Sequence, residues 1–274
     1  MSLADRIARV LELDPDSPAI EFQGKWYPWR FLSELGKRLD AELTRAGIGA
    51  GETVAIMASN RPTTVAAMAA LIASRRPVMF INPSQPETQL GEELSTLRPR
   101  ALAADHSEWK RGPVVDALRG VGAIGLVLDE GGEVSLLAGL ERPGAGPFYV
   151  ADRDAALIQT TSGTTGPPKR TTRTVTQLEE TLAIGHPQSK NEDAATLKVK
   201  RSPALAFKSM AHAGGANSIL LALYEARPIS LHEKFSVEAF AEAVQRHKPK
   251  VTSLVPAMLR MIWDAGADRQ VTSG

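Results

Sequence analysis

Apolar positions recur along the chain at two spacings, one helical and one alternating or continuous over a few residues. Leu3, Ile7 and Leu11 share one helical face, which predicts an opening helix over Leu3–Leu11. Ala19–Phe22 and Trp26-Tyr27 flank Gln23-Gly24-Lys25, which reads as a hairpin. A helix over Pro28–Ala46 follows from the stripe Leu32, Leu35, Leu39 and Leu43, with Gly47 as its stop. Thr53–Met57, Val78–Ile81, Ala101–Ala104 and Ile124–Leu128 are short apolar runs of strand length. Between them, Asn60 can cap a helix that carries Pro62 in its first turn and runs through Ala73. Glu87–Leu97 aligns Leu90, Leu94 and Leu97 on another helix. Strand and helix therefore alternate, and this rhythm predicts a mainly parallel sheet covered by helices on both faces.

Asp129–Asp154 is richer in Gly, Pro and acidic residues and reads as surface loops. Ala155–Thr161 is a strand that delivers a polar loop to the sheet edge, and a helix spans about Val175–Ile184. His186–Thr196 is polar and irregular, Ala204–Phe207 is a short strand end, and Asn217–Tyr224 is helical. Ser236 can cap a helix with Val237, Phe240, Ala241 and Val244 inward, ended by Pro249. Val251–Val255 then reads as a strand and Ala257–Asp264 as a helix.

Composition narrows the function classes. Apolar residues make up 43% of the 274 residues, ample for a core, and the formal net charge is +1, which gives no case for a nucleic-acid or membrane-surface protein. Cysteine is absent, which excludes disulfides, thiolate catalysis and Cys-based zinc sites. His106, His186, His212, His232 and His247 lack metal-ligand spacing. Asp5, Glu12 and Asp14 interrupt the N-terminal apolar stretches, unlike a secretory signal. The longest apolar run, Val65–Ala73, falls far short of the roughly 20 residues of a membrane span. A cytoplasmic protein is the default expectation, and Trp26, Trp29, Trp109 and Trp263 are expected to be packing residues.

The densest chemistry lies in Thr160-Thr161-Ser162-Gly163-Thr164-Thr165-Gly166-Pro167-Pro168-Lys169. One serine and four threonines surround two glycines, with a lysine after two prolines. Hydroxyls, loop N–H groups and one cation suit the oxygens of a polyphosphate. Only two residues separate Gly163 from Gly166 and Arg170 follows Lys169, so this is not a Walker loop. Nor does Ser162 sit in the GxSxG elbow of a serine hydrolase. Taken alone, such a stretch is also compatible with a polar turn whose hydroxyls bond their own backbone.

The order of residues in Thr161–Lys169 closely resembles the phosphate-binding motif of the adenylate-forming superfamily, which includes acyl-CoA synthetases and peptide-synthetase adenylation domains. The resemblance extends to Gly47–Met57, Asn60-Arg61-Pro62, Asn82-Pro83, Pro203–Gly215 and Phe235–Met258, nearly the whole chain. It implies an α/β fold of mainly parallel sheets covered by helices, the N-terminal portion of the acyl-adenylate-forming fold. It further implies that Thr161, Ser162, Gly163, Thr164, Thr165, Gly166 and Lys169 hold ATP phosphates, with Thr164 or Thr165 near Mg2+, while a carboxylic acid attacks the α-phosphorus. CoA would be the co-substrate of the second half-reaction. His212 and Gly214, in Ala211-His212-Ala213-Gly214-Gly215, match the segment beside the acyl pocket; a lone His next to Gly-Gly can equally be a packed loop residue.

Two departures qualify the match. The family usually has Gly after the motif lysine and a His further on, where this chain has Arg170 and Val175. The chain also stops at Gly274, before the family's adenine, ribose, hinge and catalytic-lysine elements, so no catalytic residue is expected within it. The whole is expected to be one truncated domain, with subdivision conceivable near 129–154 or 186–200 and the C-terminal lid absent. The leading expectation is the N-terminal part of an acid:CoA ligase for a fatty or related organic acid. The alternatives are an enzyme that loads a carrier protein and a non-catalytic nucleotide-binding module.

Overall fold

The computed structural model describes residues 1–161, 169–185 and 196–266. Helix α1 (Leu3–Val10) leads into the expected hairpin of β1 (Pro18–Phe22) and β2 (Lys25–Pro28). Its turn places Gln23 and Gly24 at φ of 51° and 78°, the pair of positive angles that a two-residue hairpin turn requires. Helix α2 (Trp29–Arg45) follows, with Leu32, Leu35, Leu39 and Leu43 all fully buried.

The alternating segment comprises β3 (Val54–Met57), α3 (Pro62–Ala73), β4 (Val78–Ile81), α4 (Glu87–Leu97), β5 (Ala101–Asp105), α5 (Gly112–Val121) and β6 (Ile124–Leu128). After it come β7 (Val134–Leu136), β8 (Ala155–Thr161), β9 (Lys169–Thr174) and α6 (Val175–Gly185). Strands β3 to β9 form one sheet in the order β7-β6-β5-β3-β4-β8-β9. The pairs from β6 to β8 are parallel, and both edge strands run antiparallel to their neighbours. The parallel centre has helices on both faces, as the βαβ rhythm predicts. Alternate strand residues divide between two cores: Val54, Ile56, Val78, Phe80 and Leu157 pack under α1, α2, α3, α6 and α7 (Ala213–Tyr224). Ala55, Met57, Met79, Ile81 and Ile158 pack under α4 and α5. Each fully buried aliphatic side chain in these layers contributes about 1.5–3 kcal/mol.

A second, four-stranded sheet has the order β10-β11-β1-β2, with β10 (Ala204–Ala206) and β11 (Ile229–Leu231). Parallel pairing of β1 with β11 joins the N-terminal hairpin to a segment some two hundred residues away. Helix α8 (Val237–His247) covers the other face, and Ser236 caps it by accepting from the Ala239 N–H, as expected. Helix α9 (Pro256–Asp264) lies beside it through Ile262.

Several expectations are corrected. Val251–Val255 is not a strand: it pairs with no described strand and Val251 is 86% exposed, so the apolar run has no ladder to join. Trp29 and Trp109 are buried packing residues, but Trp26 and Trp263 are exposed. The region expected to be loops, Asp129–Asp154, contributes edge strand β7. Helix α7 begins at Ala213, four residues earlier than its apolar pattern suggests, because its first turn is Ala-Gly-Gly-Ala. The expected irregular segment His186–Thr196 lies outside the described residues except for Thr196.

Candidate functional site

The C-terminal ends of β3, β4, β10 and β11 open onto one cavity of about 860 Å³. Ligands of open α/β sheets gather beyond the carboxyl ends of parallel strands. One wall comes from the first sheet: Ala58 and Ser59 after β3, Pro83 and Ser84 after β4, and Glu108 and Arg111 beyond β5. The other comes from the second sheet, the start of α7 and α9: Phe207, Lys208, Ser209, His212, Gly214, Gly215, Glu233, Lys234, Phe235, Val255 and Met258.

Asn60 fixes these walls relative to each other. The N-cap of α3 is Arg61, without a side-chain cap bond, so Asn60 is not the cap its position suggests. Its carboxamide crosses to the second sheet instead. Nδ2 donates to the Lys208 carbonyl at 3.1 Å and the His232 carbonyl at 2.9 Å, and Oδ1 accepts from the Met210 N–H at 2.8 Å. The residue is 5% exposed, so it satisfies three groups that burial would otherwise leave costly.

His212 and Gly214 both line the cavity. His212 is the N-cap residue of α7 without a side-chain cap bond; its carbonyl accepts from the Gly215 and Ala216 N–H groups. Gly214 is exposed, and a Cβ there would meet only Lys208 Cδ at 3.8 Å. Gly215 is the glycine that the geometry demands. A Cβ there would lie 1.9 Å from the Ser209 carbonyl oxygen, so only glycine lets α7 start against the 208–209 backbone.

Charges on the first wall are internally paired. Glu108 Oε1 accepts from Ser59 Oγ at 3.1 Å, and Oε2 lies 3.0 Å from Arg111 Nε as an ion pair rather than an aligned hydrogen bond. Arg111 also donates to the Pro83 carbonyl at 2.9 Å. On the second wall, Lys208 Nζ donates to Ser253 Oγ at 2.8 Å, and partial burial pulls its ammonium below the ordinary lysine range. Behind the site, Asp105 is 4% exposed and accepts from the hydroxyls of Thr63 and Thr64. Burial pushes its carboxyl up to about 6, against the Thr63 hydrogen bond and the charge of Arg61; Glu108 and Glu130 add to the rise.

A second cavity of about 440 Å³ lies between the second sheet and α8. Glu21 faces it and accepts from Arg246 at 2.6 Å, Ser230 at 3.0 Å and His247 at 2.6 Å. Burial alone would raise this carboxyl, but those three donors outweigh it and hold Glu21 below the usual carboxylate range. His232 stacks on Phe207 with centroids 3.9 Å apart and shares Ser230 Oγ with Glu21.

Of the predicted phosphate-binding residues, Ser162, Gly163, Thr164, Thr165 and Gly166 lie outside the described residues. Thr161 ends β8 and Lys169 opens β9, and the two are register partners. Strand β8 runs parallel to β4, with Ile158 opposite Met79, so Thr161 leaves the sheet near the level of Asn82, next to Pro83 in the cavity wall. Arg170, where the resemblance expects Gly, is a strand residue whose guanidinium pairs with Glu93 at 3.3 Å. Among the described residues, no cluster of three or more His, Asp or Glu could hold a metal ion, and the threonines proposed for Mg2+ lie outside that set. Sequence reading missed Glu108, Arg111 and Lys208: apart from the local Glu108–Arg111 pair, their partners Ser59, Pro83 and Ser253 are distant in sequence. It named Asn60 for the wrong task, and the pair Gly214-Gly215 was the one local signal for the close approach at α7.

The family profile of AMP-binding enzymes matches residues 7–273. The chain belongs to that family. It is 26% identical over 250 residues to a 2-succinylbenzoate–CoA ligase of Bacillus velezensis, covering 90% of this chain and 47% of that protein. It is 28% identical over 287 residues to an indoleacetate–CoA ligase of Aromatoleum aromaticum, covering 100% and 55%. Surfactin synthase subunit 3 of Bacillus subtilis matches 94% of this AMP-binding chain at 22% identity, using 19% of its own length. The chain thus spans about half the length of the curated CoA ligases it matches. A putative long-chain-fatty-acid CoA ligase from Rhodopseudomonas palustris superposes with a TM-score of 0.76 at 19% identity, covering 99% of this chain and 67% of that one. An o-succinylbenzoate CoA synthetase from Bacillus subtilis, in complex with its acyl-adenylate intermediate, superposes at 0.69 and 19% identity, covering 95% and 64%. The fold is therefore that of the adenylate-forming enzymes, seen over their N-terminal portion.

Proposed function

We propose that this chain carries the ATP-phosphate and acyl portion of an ATP-dependent carboxylic acid:CoA ligase acting in the cytoplasm on a fatty or related organic acid. A carboxylate oxygen attacks the α-phosphorus of ATP, the bond to the bridging β-oxygen breaks, and pyrophosphate leaves with that electron pair. The CoA thiol then attacks the acyl carbon and AMP departs. Thr161, Ser162, Gly163, Thr164, Thr165 and Gly166 offer hydroxyl and backbone donors to the phosphates, and Lys169 offers the cation. Mg2+, held near Thr164 or Thr165, would neutralise phosphate charge. His212 and Gly214 border the acid.

The observation that carries this reading is a juxtaposition. The phosphate motif is attached to β8, and the end of β4, the parallel neighbour of β8, is a wall of the His212 cavity. The strand that leads into the proposed phosphate-binding segment thus ends on the same side of the sheet as the cavity. Similarity to surfactin synthase subunit 3 supports a second acceptor, a carrier-protein thiol in place of CoA.

Carboxylate-dependent exchange of labelled pyrophosphate into ATP tests the reading. Residues 1–274 alone are expected to give no exchange, and measurable exchange would show that adenylation needs nothing more. In the full-length enzyme, Lys169→Ala is expected to slow adenylation about tenfold at sub-saturating ATP, the worth of one charge-assisted hydrogen bond. An unchanged rate removes the phosphate contact from Lys169.

A further inference from the structure

Strand β9 begins at Lys169 and closes one edge of the seven-stranded sheet, paired along one side to β8. Among the described residues no strand pairs with its other side, so side-chain ties help to fix its place. At its far end Arg173 donates to Asn217 Oδ1 at 2.5 Å and to Thr181 Oγ1 at 2.7 Å. At its near end, one residue past Lys169, the tie is a charge pair. Arg170 Nη2 donates to Glu93 Oε1 of α4 at 3.3 Å, with the two side chains 26% and 14% exposed. Burial pulls the Arg170 guanidinium below the ordinary arginine range, and the charge of Glu93 opposes that pull.

The other oxygen of the same carboxylate accepts from Gln85 Nε2 at 2.8 Å. Gln85 belongs to the loop between β4 and α4 and follows Pro83 and Ser84, which line the 860 Å³ cavity. Arg111 holds that loop a second time, through the Pro83 carbonyl at 2.9 Å. Helix α4 is a firm platform for the carboxylate. Leu90 and Leu94 are fully buried, and a Cβ at Gly91 would come within 2.8 Å of the Pro113 carbonyl oxygen, so α4 sits directly against the start of α5. Glu93 thus bridges the strand that opens at Lys169 and the loop that forms part of the first cavity wall.

We infer that Glu93 is a positioning residue of this site, which holds the Lys169 end of β9 in place against the cavity wall. This rests on the phosphate-binding role proposed above for Lys169. Desolvation offsets much of the attraction in a partly buried pair, so its main product here is one defined geometry rather than stability. The family resemblance puts glycine at position 170, which has no side chain to tether, so the tie belongs to this chain. Charge and position predict opposite signs. A carboxylate near a polyphosphate site repels the ligand, so its removal would tighten binding by charge alone. Loss of the tie weakens binding instead.

The test is calorimetric titration of the intact chain with inorganic tripolyphosphate, each variant first matched to the parent by circular dichroism. Glu93→Ala is expected to weaken binding about five- to tenfold, no more than Lys169→Ala, through which it acts. Added to Lys169→Ala, it should weaken binding by less than about twofold further. Glu93→Gln is as neutral as alanine but can still accept from Arg170, and should stay within about twofold of the parent. Glu93→Asp serves if Glu93→Ala does not fold: it keeps the charge, sets the carboxylate back by one methylene and should weaken binding about threefold. Unchanged or tighter binding by Glu93→Ala, equal effects of alanine and glutamine, or losses that add to that of Lys169→Ala overturn the assignment. With a parent chain that binds tripolyphosphate, those results leave the phosphate reading standing. A parent chain that does not bind it removes both.

Discussion

Asn60 and Gly215 set the shape of the cavity, and they do so by opposite means. Asn60 supplies two donors and one acceptor to three backbone groups of the facing wall. Aspartate keeps its volume but cannot donate, so Asn60→Asp should lose about 3 kcal/mol in denaturant unfolding, the usual scale for stranding buried polar groups. Loss below about 0.5 kcal/mol, the range of an inconsequential surface change, would mean the carboxamide is not holding the walls. Gly215 acts through what it lacks. Gly215→Ala drives a methyl into the Ser209 carbonyl and should cost at least about 2 kcal/mol. Gly214→Ala, one residue earlier and open to solvent, should be neutral or gain up to about 1 kcal/mol from helix propensity. Equal effects of the two substitutions would contradict the close approach at α7. The sequence marks both glycines alike; only the path of residues 208–209 distinguishes them. Asn60 illustrates the same limit. A polar residue two positions before a helical proline is a reasonable cap locally, and its actual partners lie about 150 to 170 residues away.

Between elements, the legible part was whatever a strand or helix encodes in its own residues. The core strands and long helices follow their apolar spacing closely, because each is buried on a face that its own pattern specifies. Short strands β7 and β11 escaped, since three residues carry no period, and Val251–Val255 misled because apolar character does not provide a partner edge. The contact between β5 and α3 adds a pH dependence that no local pattern announces. Asp105 is pushed up to about 6 when folded, above its ordinary 3.8. Between those values the folded chain keeps a proton that the unfolded chain releases. The contribution of Asp105 to stability therefore falls as pH rises from about 4 to about 6 and is level above that, a change of about 2–3 kcal/mol. Asp105→Asn keeps an acceptor for Thr63 and cannot ionise, so its stability relative to the parent should climb through that window. A flat difference between the two proteins from pH 4 to 7 would assign Asp105 an ordinary carboxyl.

At the scale of the molecule, α9 leaves Leu259, Met261 and Trp263 exposed at 54%, 48% and 72%, with Val251 and Val255 nearby in the chain. Leu259 and Trp263, four residues apart, share one side of the helix, and exposed apolar surface of this kind binds hydrophobic dyes. The double change Leu259→Ser with Trp263→Ser should lower 8-anilinonaphthalene-1-sulfonate emission at least about twofold while shifting stability by less than about 0.5 kcal/mol. Unchanged emission would place the dye elsewhere. The family assignment was legible because the phosphate motif is contiguous in sequence. The cavity was only partly so, because its walls come from segments that the second sheet brings together after folding.

The pairing of Thr161 with Lys169 constrains the segment between them in a way unrelated to any ligand. Beyond Lys169, β9 sends Arg170 to Glu93 on one side of the sheet and Arg173 to Asn217 on the other. Removing one residue from 162–168 and absorbing the gap by sliding β9 would exchange those two sides. The number of residues between Thr161 and Lys169 is thus held by the strand behind them, independently of which residues they are.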